Sequence, residues 1–491
     1  MVPTTCVVSL DVGTSSVRTL LYDANAQQIN GFGEHISYRV TTTSDGGVEI
    51  DADELAEHCL HALTTLHKQV EAAQVRPAAV GFSLFWHSFL GVDAANRPTT
   101  PIMHLLDTRS TPQVAALKRI LEPETVHRRT GCVLHTSYWP AKLLWLKENR
   151  REAWDRTAKW ISFGEYLYSI VLERATTSVS MVSASGIWNQ NKFDYDAEVL
   201  DAVGVSPERL APTADFDAET RTLSPRFSSV LERFSDIPWF PAAGDGACNN
   251  VGSGCVEPGS FAVMIGTTGA MRAVVETPTV EIPKGLWCYR VDRKRFVLGG
   301  ALSNGGEVYA WMHRTLRLPE EDKLQATLAA MEPGAHGLTV LPFFAGERSP
   351  YWRADLRAVF SGMSLATQPE DLVRAALESI ALRFRQIYAI LAAAVGVPRQ
   401  IIASGGGLKS PATVQIMADA LGRSLIRSCE EEASSRGAAL LALERIGAIG
   451  HMRDRPACMG ETFEPVAGHE AVYERMLSEQ QNLIDKLWMT A

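Results

Sequence analysis

Two aspartates stand beside glycines where short apolar runs end. Asp11 follows CVVSL in the segment SLDVGTSSVR, and Gly13, three hydroxylated residues and Arg18 come after it. Asp245 lies between two glycines in PAAGDGACNNVGSG. A carboxylate of this kind can bind a hard cation through oxygen or accept a proton as a general base. Asp, Gly, Ser and Thr are also ordinary turn residues, so either segment alone is compatible with a simple turn.

A second loop of the same composition lies about half a chain away. In FAVMIGTTGAMR, residues 261–272, an apolar run ends at Gly266, Thr267 and Thr268 follow, and a second apolar run begins. Backbone N–H groups and hydroxyls can approach an oxyanion closely when no large side chain intervenes. The two strand–loop–strand units predict two related halves, each opening with a hairpin whose loop suits phosphate.

A third glycine-rich segment is IIASGGGLKSPATVQIMADALG, residues 401–422. Its pattern predicts a short strand, a tight glycine turn, and a helix with Ser410 as N-cap, Pro411 as first residue and Gly422 at its end. The glycines would allow a flat or anionic ligand to approach the backbone.

The remaining pattern predicts an α/β protein. Apolar residues recur at steps of three and four from Val373 to Val395, with Thr367 and Glu370 as a capping box, and an Ala-rich helix follows SSRG. Strands alternate with helices throughout. A chain of 491 residues exceeds the size of a single core, so we expect two domains, with a boundary near residues 241–254.

Composition argues against several classes of protein. The formal net charge is −9 and no long basic run occurs, so we expect no nucleic-acid partner. We see no apolar stretch long enough for a membrane span and no signal peptide. Eight cysteines without a C-x-x-C pair indicate reduced thiols and a cytoplasmic location, with Cys248 and Cys255 as small buried residues.

Five segments in this order resemble the FGGY carbohydrate kinases. They are DVGTSSVR, KLLWLKEN (142–149), IGTTGAMR, AVFSGMSLATQPEDLVRAALE (358–378) and ASGGGLKS, although Trp139 departs from the family pattern just before the second. The resemblance implies two actin-like ATPase (ribonuclease H-like) domains with a cleft between them. It places sugar binding in residues 1–246 and nucleotide binding in residues 247–491, with ATP and Mg²⁺ as cofactors.

The same resemblance implies a role for each candidate residue. Asp245 would orient the attacking hydroxyl and accept its proton. Asp11 would hold Mg²⁺, directly or through water. Arg18 would offset phosphoryl charge. The expected phosphate and nucleoside contacts are Gly13, Thr14 and Ser15 at the transferred phosphoryl group, Gly266, Thr267 and Thr268 at the β-side phosphates, and Gly306, Gly406 and Ser410 around the nucleoside.

The acceptor is a small sugar or sugar acid by this resemblance. Details are most similar to bacterial gluconokinases, which implies D-gluconate, with xylulokinases or another ketose or polyol kinase second. The expected acceptor contacts are Trp86, His87, Asp107 and Arg109, with Arg109 or His87 facing the carboxylate. Trp86 and His87 could instead be core residues.

Three further expectations concern the interface between the halves, the class of ATPase and the oligomeric state. Glu347 and Arg348 are expected to stabilise the interface between the halves rather than to contact the substrate. A non-kinase actin-like ATPase is a distant alternative, and a homodimer is one arrangement that the sequence leaves open.

Overall fold

The computed structural model describes residues 5–174 and 176–489, and each half of the chain opens with an antiparallel hairpin as predicted. In chain order the described strands are β1 (Cys6–Val12), β2 (Ser16–Asp23), β3 (Gln28–Ser37), β4 (Thr41–Thr42), β5 (Val48–Ile50), β6 (Val80–Leu84), β7 (Leu90–Val92), β8 (Ile102–Met103), β9 (Lys159–Ile161), β10 (Thr177–Ser178), β11 (Trp188–Asn189), β12 (Asp194–Tyr195), β13 (Thr213–Ala214), β14 (Ala243–Gly244), β15 (Ser260–Ile265), β16 (Gly269–Glu276), β17 (Trp287–Arg290), β18 (Arg295–Leu302), β19 (Thr339–Leu341), β20 (Val359–Ser361), β21 (Gln400–Ser404), β22 (Leu425–Ser428) and β23 (Met459–Phe463).

Helices alternate with these strands. The described α-helices are α1 (Ala52–Ala72), α2 (Thr111–Ile120), α3 (Pro123–Thr130), α4 (Trp139–Asn149), α5 (Arg151–Arg156), α6 (Phe163–Val171), α7 (Val179–Val182), α8 (Ala197–Val203), α9 (Asp245–Gly252), α10 (Gly306–Thr315), α11 (Glu321–Ala330), α12 (Pro369–Val395), α13 (Pro411–Leu421), α14 (Ala433–Arg445) and α15 (His469–Ile484). Short 3₁₀ turns lie at Pro207–Arg209, Glu232–Phe234, Gly406–Leu408 and Met452–Asp454, and a π-helical turn at Asp485–Met489.

The two main sheets share one strand order, which confirms the predicted pair of related halves. The first runs β14–β6–β1–β2–β3, with β1 antiparallel to β2 and parallel to β6. The second runs β17–β18–β16–β15–β21–β22–β23, with β15 antiparallel to β16 and parallel to β21. Each is a ribonuclease H-like sheet, and the second carries an extra strand at each edge. The first and second hairpin loops therefore occupy equivalent places in the two halves.

Helix α14 joins the halves, although it comes late in the chain. It packs on α9 and on β1 and β6 of the first sheet, and its residues 438–443 belong to the core of that sheet. The two helices approach so closely that a Cβ on Gly437 would lie 1.9 Å from the backbone oxygen of Cys248. The predicted division between residues 246 and 247 falls inside α9, which packs against α14.

Helices α12 and α13 form the core of the second half. As predicted, Ser410 caps α13, Pro411 opens it and Gly422 ends it in the left-handed region. The predicted capping box of α12 is wrong by one residue, because Pro369 takes the first helical position. Gln368 is the N-cap, and its backbone N–H donates to the Asp371 carboxylate at 2.8 Å.

Other predictions concern thiols and membranes. Cys248 and Cys255 are buried, as expected. Within residues 5–174 and 176–489, no helix combines the length and apolar character that a membrane span requires.

Candidate active site

A cavity of 280 Å³ lies between the two halves and contains Asp245. Its volume is near the lower end for small-molecule sites, about 300 Å³. The first half contributes Thr14, Trp86, His87, Leu105, Ser137, Tyr138 and Asp245, and the second contributes Met264, Gly266, Thr267, Thr268, Gly269, Ala270, Arg272, Trp287, Tyr289, Ala301, Arg348 and Trp352. We call it the acceptor cavity.

Asp245 is the first residue of α9, directly after strand β14. The backbone N–H of Gly246 donates to its Oδ1 at 2.8 Å. Burial raises the pKa of this carboxyl to about 6, while the nearby Arg272 guanidinium partly opposes the shift. A carboxyl with a pKa near neutrality can both accept and hold a proton, which general base catalysis requires.

The glycines that flank Asp245 make room for Trp86. A Cβ on Gly244 would lie 1.8 Å from the Trp86 indole, and one on Gly246 would lie 2.5 Å from it. The indole is held by a hydrogen bond from its Nε1 to the Ser180 backbone oxygen at 2.9 Å. The glycines therefore serve packing against an aromatic wall, which the sequence did not indicate.

His87 lines the same cavity as a neutral ring. Its Nδ1 lies 2.7 Å from the Ala184 backbone oxygen, which can only accept, so Nδ1 carries the proton and Nε2 is an acceptor. Burial lowers the pKa of His87 to about 3. Its backbone is in the left-handed region at φ 68°, a strained conformation for a residue with a side chain. His87 thus cannot supply a positive charge to a carboxylate.

Two arginines supply the positive charge of the acceptor cavity. Arg272 and Arg348 both line it, and within the described residues neither has a carboxylate oxygen within 4.0 Å. Burial lowers the pKa of Arg272 to about 10, and the charge of Asp245 opposes this shift. Burial also lowers the pKa of Arg348, and Tyr138 and Tyr289 oppose that shift. The Arg348 side chain donates to the Leu302 backbone oxygen at 2.8 Å. Arg348 lies between the halves, as expected, but it lines the acceptor cavity, which favours the substrate contact over the purely structural role that we expected.

Glu347, its neighbour, points elsewhere. It forms an ion pair with Arg383 of α12 inside the second half, with Nε and Oε1 2.7 Å apart. The expectation that Glu347 bridges the two halves is therefore wrong, because its partner lies in its own half.

The structure does not bring Asp107 and Arg109 to the acceptor cavity. Arg109 Nη2 lies 2.6 Å from Glu49 Oε1 and 2.6 Å from Asp107 Oδ2, and the guanidinium stacks over Trp145 at 4.4 Å. Asp107 is fully buried and also accepts from the Val48 backbone N–H at 3.1 Å. The prediction that Asp107 and Arg109 contact the acceptor is therefore corrected, because the two residues form an ion pair with each other outside the cavity.

The loop of residues 266–268 separates the acceptor cavity from a second one. Gly266 and Thr267 line both cavities. The backbone N–H of Gly306, at the start of α10, donates to the Gly266 oxygen at 2.8 Å. A group bound at this loop is therefore accessible from both sides, which is the arrangement that transfer between two ligands requires.

The second cavity has a volume of 620 Å³ and lies wholly in the second half. Of the predicted nucleoside residues, Gly306, Gly406 and Ser410 all line it. Its other lining residues are Ile265, Gly266, Thr267, Gly305, Glu307, Tyr309, Ala310, Glu321, Gln325, Leu377, Ile380, Ala381, Gly407, Lys409, Thr413 and Met417. An apolar slot with polar residues at its rim suits a flat base with an anionic tail.

The first hairpin loop carries the remaining predicted residues. The backbone oxygen of Gly13 accepts from the Tyr38 hydroxyl, and that of Ser15 accepts from the Tyr38 N–H at 3.0 Å. The side chains of Thr14 and Ser15 are exposed, and Thr14 lines the acceptor cavity. At Thr14 this loop therefore borders the cleft.

Asp11 lies buried at the end of β1, behind this loop. Burial raises its pKa, and its Oδ1 has no hydrogen-bond partner among the described residues. Arg18 Nη1 lies 3.6 Å from the other oxygen, Oδ2, and Arg18 Nε lies 3.4 Å from Glu432 Oε2. An unpartnered buried carboxylate oxygen fits a hard cation such as Mg²⁺, which in proteins is bound by one or two carboxylates plus phosphate oxygens.

Several cavity residues were not among the predicted contacts. They are Tyr138, Arg272, Trp287, Tyr289, Arg348 and Trp352. The Tyr138 and Tyr289 hydroxyls are 2.6 Å apart and join the two halves at the cavity. Arg272 lies at the end of IGTTGAMR and Tyr138 lies four residues before KLLWLKEN, but no spacing in the sequence indicates which side chains face the cavity.

Comparisons with known proteins find sugar kinases that resemble this chain over nearly its full length. The chain is similar to a gluconokinase of Bacillus subtilis (strain 168), with 27% identity over 472 residues, 94% of this chain and 91% of that protein. Among solved structures it resembles a gluconate kinase from Lactobacillus acidophilus, with TM-score 0.91, 24% identity and 98% of each chain covered. A ligand-bound xylulose kinase from the same organism matches with TM-score 0.92, 25% identity and 99% of each chain covered.

Two family models cover most of the sequence. Residues 6–252 match the N-terminal domain, and residues 261–444 the C-terminal domain, of the FGGY family of carbohydrate kinases. Together with the paired sheets and the shared loop between two cavities, these matches show that the chain belongs to the FGGY family of carbohydrate kinases.

Proposed function

We propose that the protein transfers the γ-phosphoryl group of ATP to the terminal primary hydroxyl of D-gluconate, giving 6-phosphogluconate. The positive charge of the acceptor cavity carries this proposal. Arg272 is buried and Arg348 half-buried, and a guanidinium shielded from water without a carboxylate partner is costly. An anionic acceptor would provide that partner. The similarity to a gluconokinase from Bacillus subtilis and to a gluconate kinase from Lactobacillus acidophilus supports the same acceptor.

Arg348 is the residue we assign to the carboxylate. It lines the same cavity as Asp245 but is not among the charges that shift the pKa of that carboxyl, whereas Arg272 is. Gluconate would thus lie with its hydroxyl end at Asp245 and its carboxylate at Arg348, along the wall formed by Trp86. His87 Nε2 would accept a hydrogen bond from an acceptor hydroxyl.

Asp245 would act as the general base. It would orient the terminal hydroxyl and take its proton as the oxygen attacks phosphorus. The backbone and hydroxyls of Gly266, Thr267 and Thr268 would hold the phosphate chain from one side. Gly13, Thr14 and Ser15 would approach it from the other, and Arg18 would offset its charge.

Asp11 is the candidate ligand for Mg²⁺, through its unpartnered Oδ1. The ion would neutralise phosphate charge when bound. Gly306, Gly406 and Ser410 would line the nucleoside site. These assignments are those that the family pattern implies for residues at these positions.

A ketose such as D-xylulose is the second candidate acceptor. The similarity to a xylulose kinase structure at TM-score 0.92 favours it. A coupled ADP-release assay with a panel of aldonates, ketoses and polyols at equal concentration separates the candidates. We expect gluconate to be turned over fastest, and faster turnover of D-xylulose would reject gluconate as the preferred acceptor.

Replacing Arg348 tests the carboxylate assignment directly. A charge-assisted hydrogen bond contributes roughly 1.5–3 kcal/mol, so Arg348→Met should lower kcat/KM for gluconate by about 10- to 150-fold. The loss for a neutral ketose should be much smaller. Arg109→Met is the matched control, since that arginine lies outside the cavity, and it should leave the gluconate-to-ketose ratio unchanged. Equal losses for both acceptors in Arg348→Met would contradict the assignment.

A further inference from the structure

Cys429 and Cys458 are far apart in sequence but adjacent in the fold. Strand β22 ends at Ser428 and β23 begins at Met459, and these two residues are paired. The next pair outward is Cys429 and Cys458, whose backbone N–H and oxygen are 3.0 Å apart. Directly opposed residues in an antiparallel pair have Cα atoms about 5.5 Å apart, within the range that a disulfide spans.

Exposure distinguishes this pair from the other cysteines. Cys429 and Cys458 are exposed, whereas the remaining six are buried. A hydrogen bond to Cys429 is the largest cause of a raised pKa for the Cys458 thiol. The two thiols therefore lie within hydrogen-bonding reach of each other.

The cysteine pair is connected to the phosphate side of the cleft. The Cys458 backbone N–H donates to Glu430 Oε1 at 2.8 Å, and the buried Arg436 lies 3.4 Å from the same oxygen. Two residues further on, Glu432 Oε2 lies 3.4 Å from Arg18, which contacts Asp11. Residues 429–432 are therefore anchored by the cysteine pair at one end and reach Arg18 at the other.

We propose that Cys429 and Cys458 form a reversible disulfide, and that this oxidation holds Glu432 against Arg18. The oxidant is a small disulfide such as oxidised glutathione. The Cys429 thiolate attacks one of its sulfurs and releases one glutathione thiol. Cys458 then loses its proton to solvent, attacks the Cys429 sulfur of the mixed disulfide, and releases the second thiol. Two protein thiols are oxidised and one glutathione disulfide is reduced.

The effect on turnover rests on the proposed function, because it assumes that Arg18 serves the phosphoryl group. If Glu432 is held in place, Arg18 remains engaged with a carboxylate and is less free to offset phosphate charge. We therefore expect the oxidised protein to have a kcat at least twofold lower, and thiol reduction to restore it.

Mass spectrometry after incubation with oxidised glutathione tests the site itself. Tryptic peptides 428–436 and 454–475 should appear as one cross-linked species that thiol reduction separates. The Cys429→Ser and Cys458→Ser variants should each show only a mixed disulfide on the remaining cysteine. Glutathione retained on both cysteines of the wild type, or no reaction at either, would overturn the proposed disulfide.

The coupling is tested by the ratio of oxidised to reduced kcat. The ratio should be near one in Cys429→Ser and in Glu432→Gln, whatever basal rate the latter has. A cross-linked wild type with unchanged kcat would overturn the coupling but not the disulfide. If no sugar supports turnover, the proposed function fails, and the cross-linked peptide still decides whether the disulfide forms.

Discussion

Two opposing effects set the pKa of the Asp245 carboxyl group. Burial raises its pKa to about 6, and the Arg272 guanidinium limits the rise. The carboxylate is thus mostly ionised at neutral pH but is a stronger base than an exposed aspartate. That balance suits a residue that must take a proton from an alcohol during phosphoryl transfer.

Asp245→Asn removes proton acceptance while keeping the shape of the side chain. We expect kcat to fall by about 100-fold or more, in line with the usual contribution of a general base. Nucleotide binding should be nearly unchanged, because the 620 Å³ cavity does not include Asp245. Steady-state kinetics and a nucleotide titration check both parts, and an Asn variant with wild-type turnover would reject the role.

The pH dependence of kcat/KM should report the same carboxyl group. The ionised form is the active base, so the rate should rise with pH through a midpoint of about 6. Arg272 lowers this pKa, so Arg272→Met should move the midpoint to higher pH. The variant should then lose more activity at pH 6 than at pH 8. A midpoint that stays or moves downward would show that Arg272 does not act on Asp245.

The junction between β14 and α9 positions the base, because Gly244 and Gly246 pack against Trp86. In Gly244→Ala the new Cβ would overlap the indole at 1.8 Å. Overpacking of this kind costs about 1–3 kcal/mol, so the free energy of unfolding should fall by that amount. We also expect a higher KM for the acceptor, because Trp86 forms its wall. Denaturant unfolding and kinetics measure the two effects.

The matched control is the double variant Gly244→Ala/Trp86→Ala. Truncation removes the indole atoms Cδ1, Nε1 and Cε2 that the new Cβ would meet, so the two changes should be less destabilising together than the sum of the single variants. Additive losses would mean that the glycine is needed for another reason.

Across the molecule, the two cavities meet at one loop of three residues. ATP and acceptor would therefore contact the same loop from opposite sides, and a bound acceptor would exclude water from it. We expect ATP turnover to rise strongly when the correct sugar is added. A coupled ADP assay with and without gluconate measures this. Turnover that ignores every sugar would instead support a non-kinase ATPase.

Local features could be predicted from sequence because their causes lie within a few residues. The hairpin loops at residues 13–15 and 266–268, the Ser410 cap and the α12 periodicity all follow from backbone and propensity rules. The order of the family-like motifs was enough to predict the fold, the cleft between the halves and the position of Asp245 in that cleft. Even here the α12 capping box was misplaced by one residue.

Side-chain partners depended on the tertiary structure, because they join segments far apart in the chain. Arg109 lies outside the cavity, where it forms an ion pair with Glu49, 60 positions earlier in the chain. Arg348, from the second half, lines the cavity instead. Helix α14 packs on the first sheet although it follows strands of the second half in the chain. Cys429 lies opposite Cys458 because β22 pairs with β23. The sequence alone determined which chemical groups the chain carries and which short elements hold them. The packing of the two halves decided which groups face the acceptor, because charge pairing and burial are properties of neighbours in space.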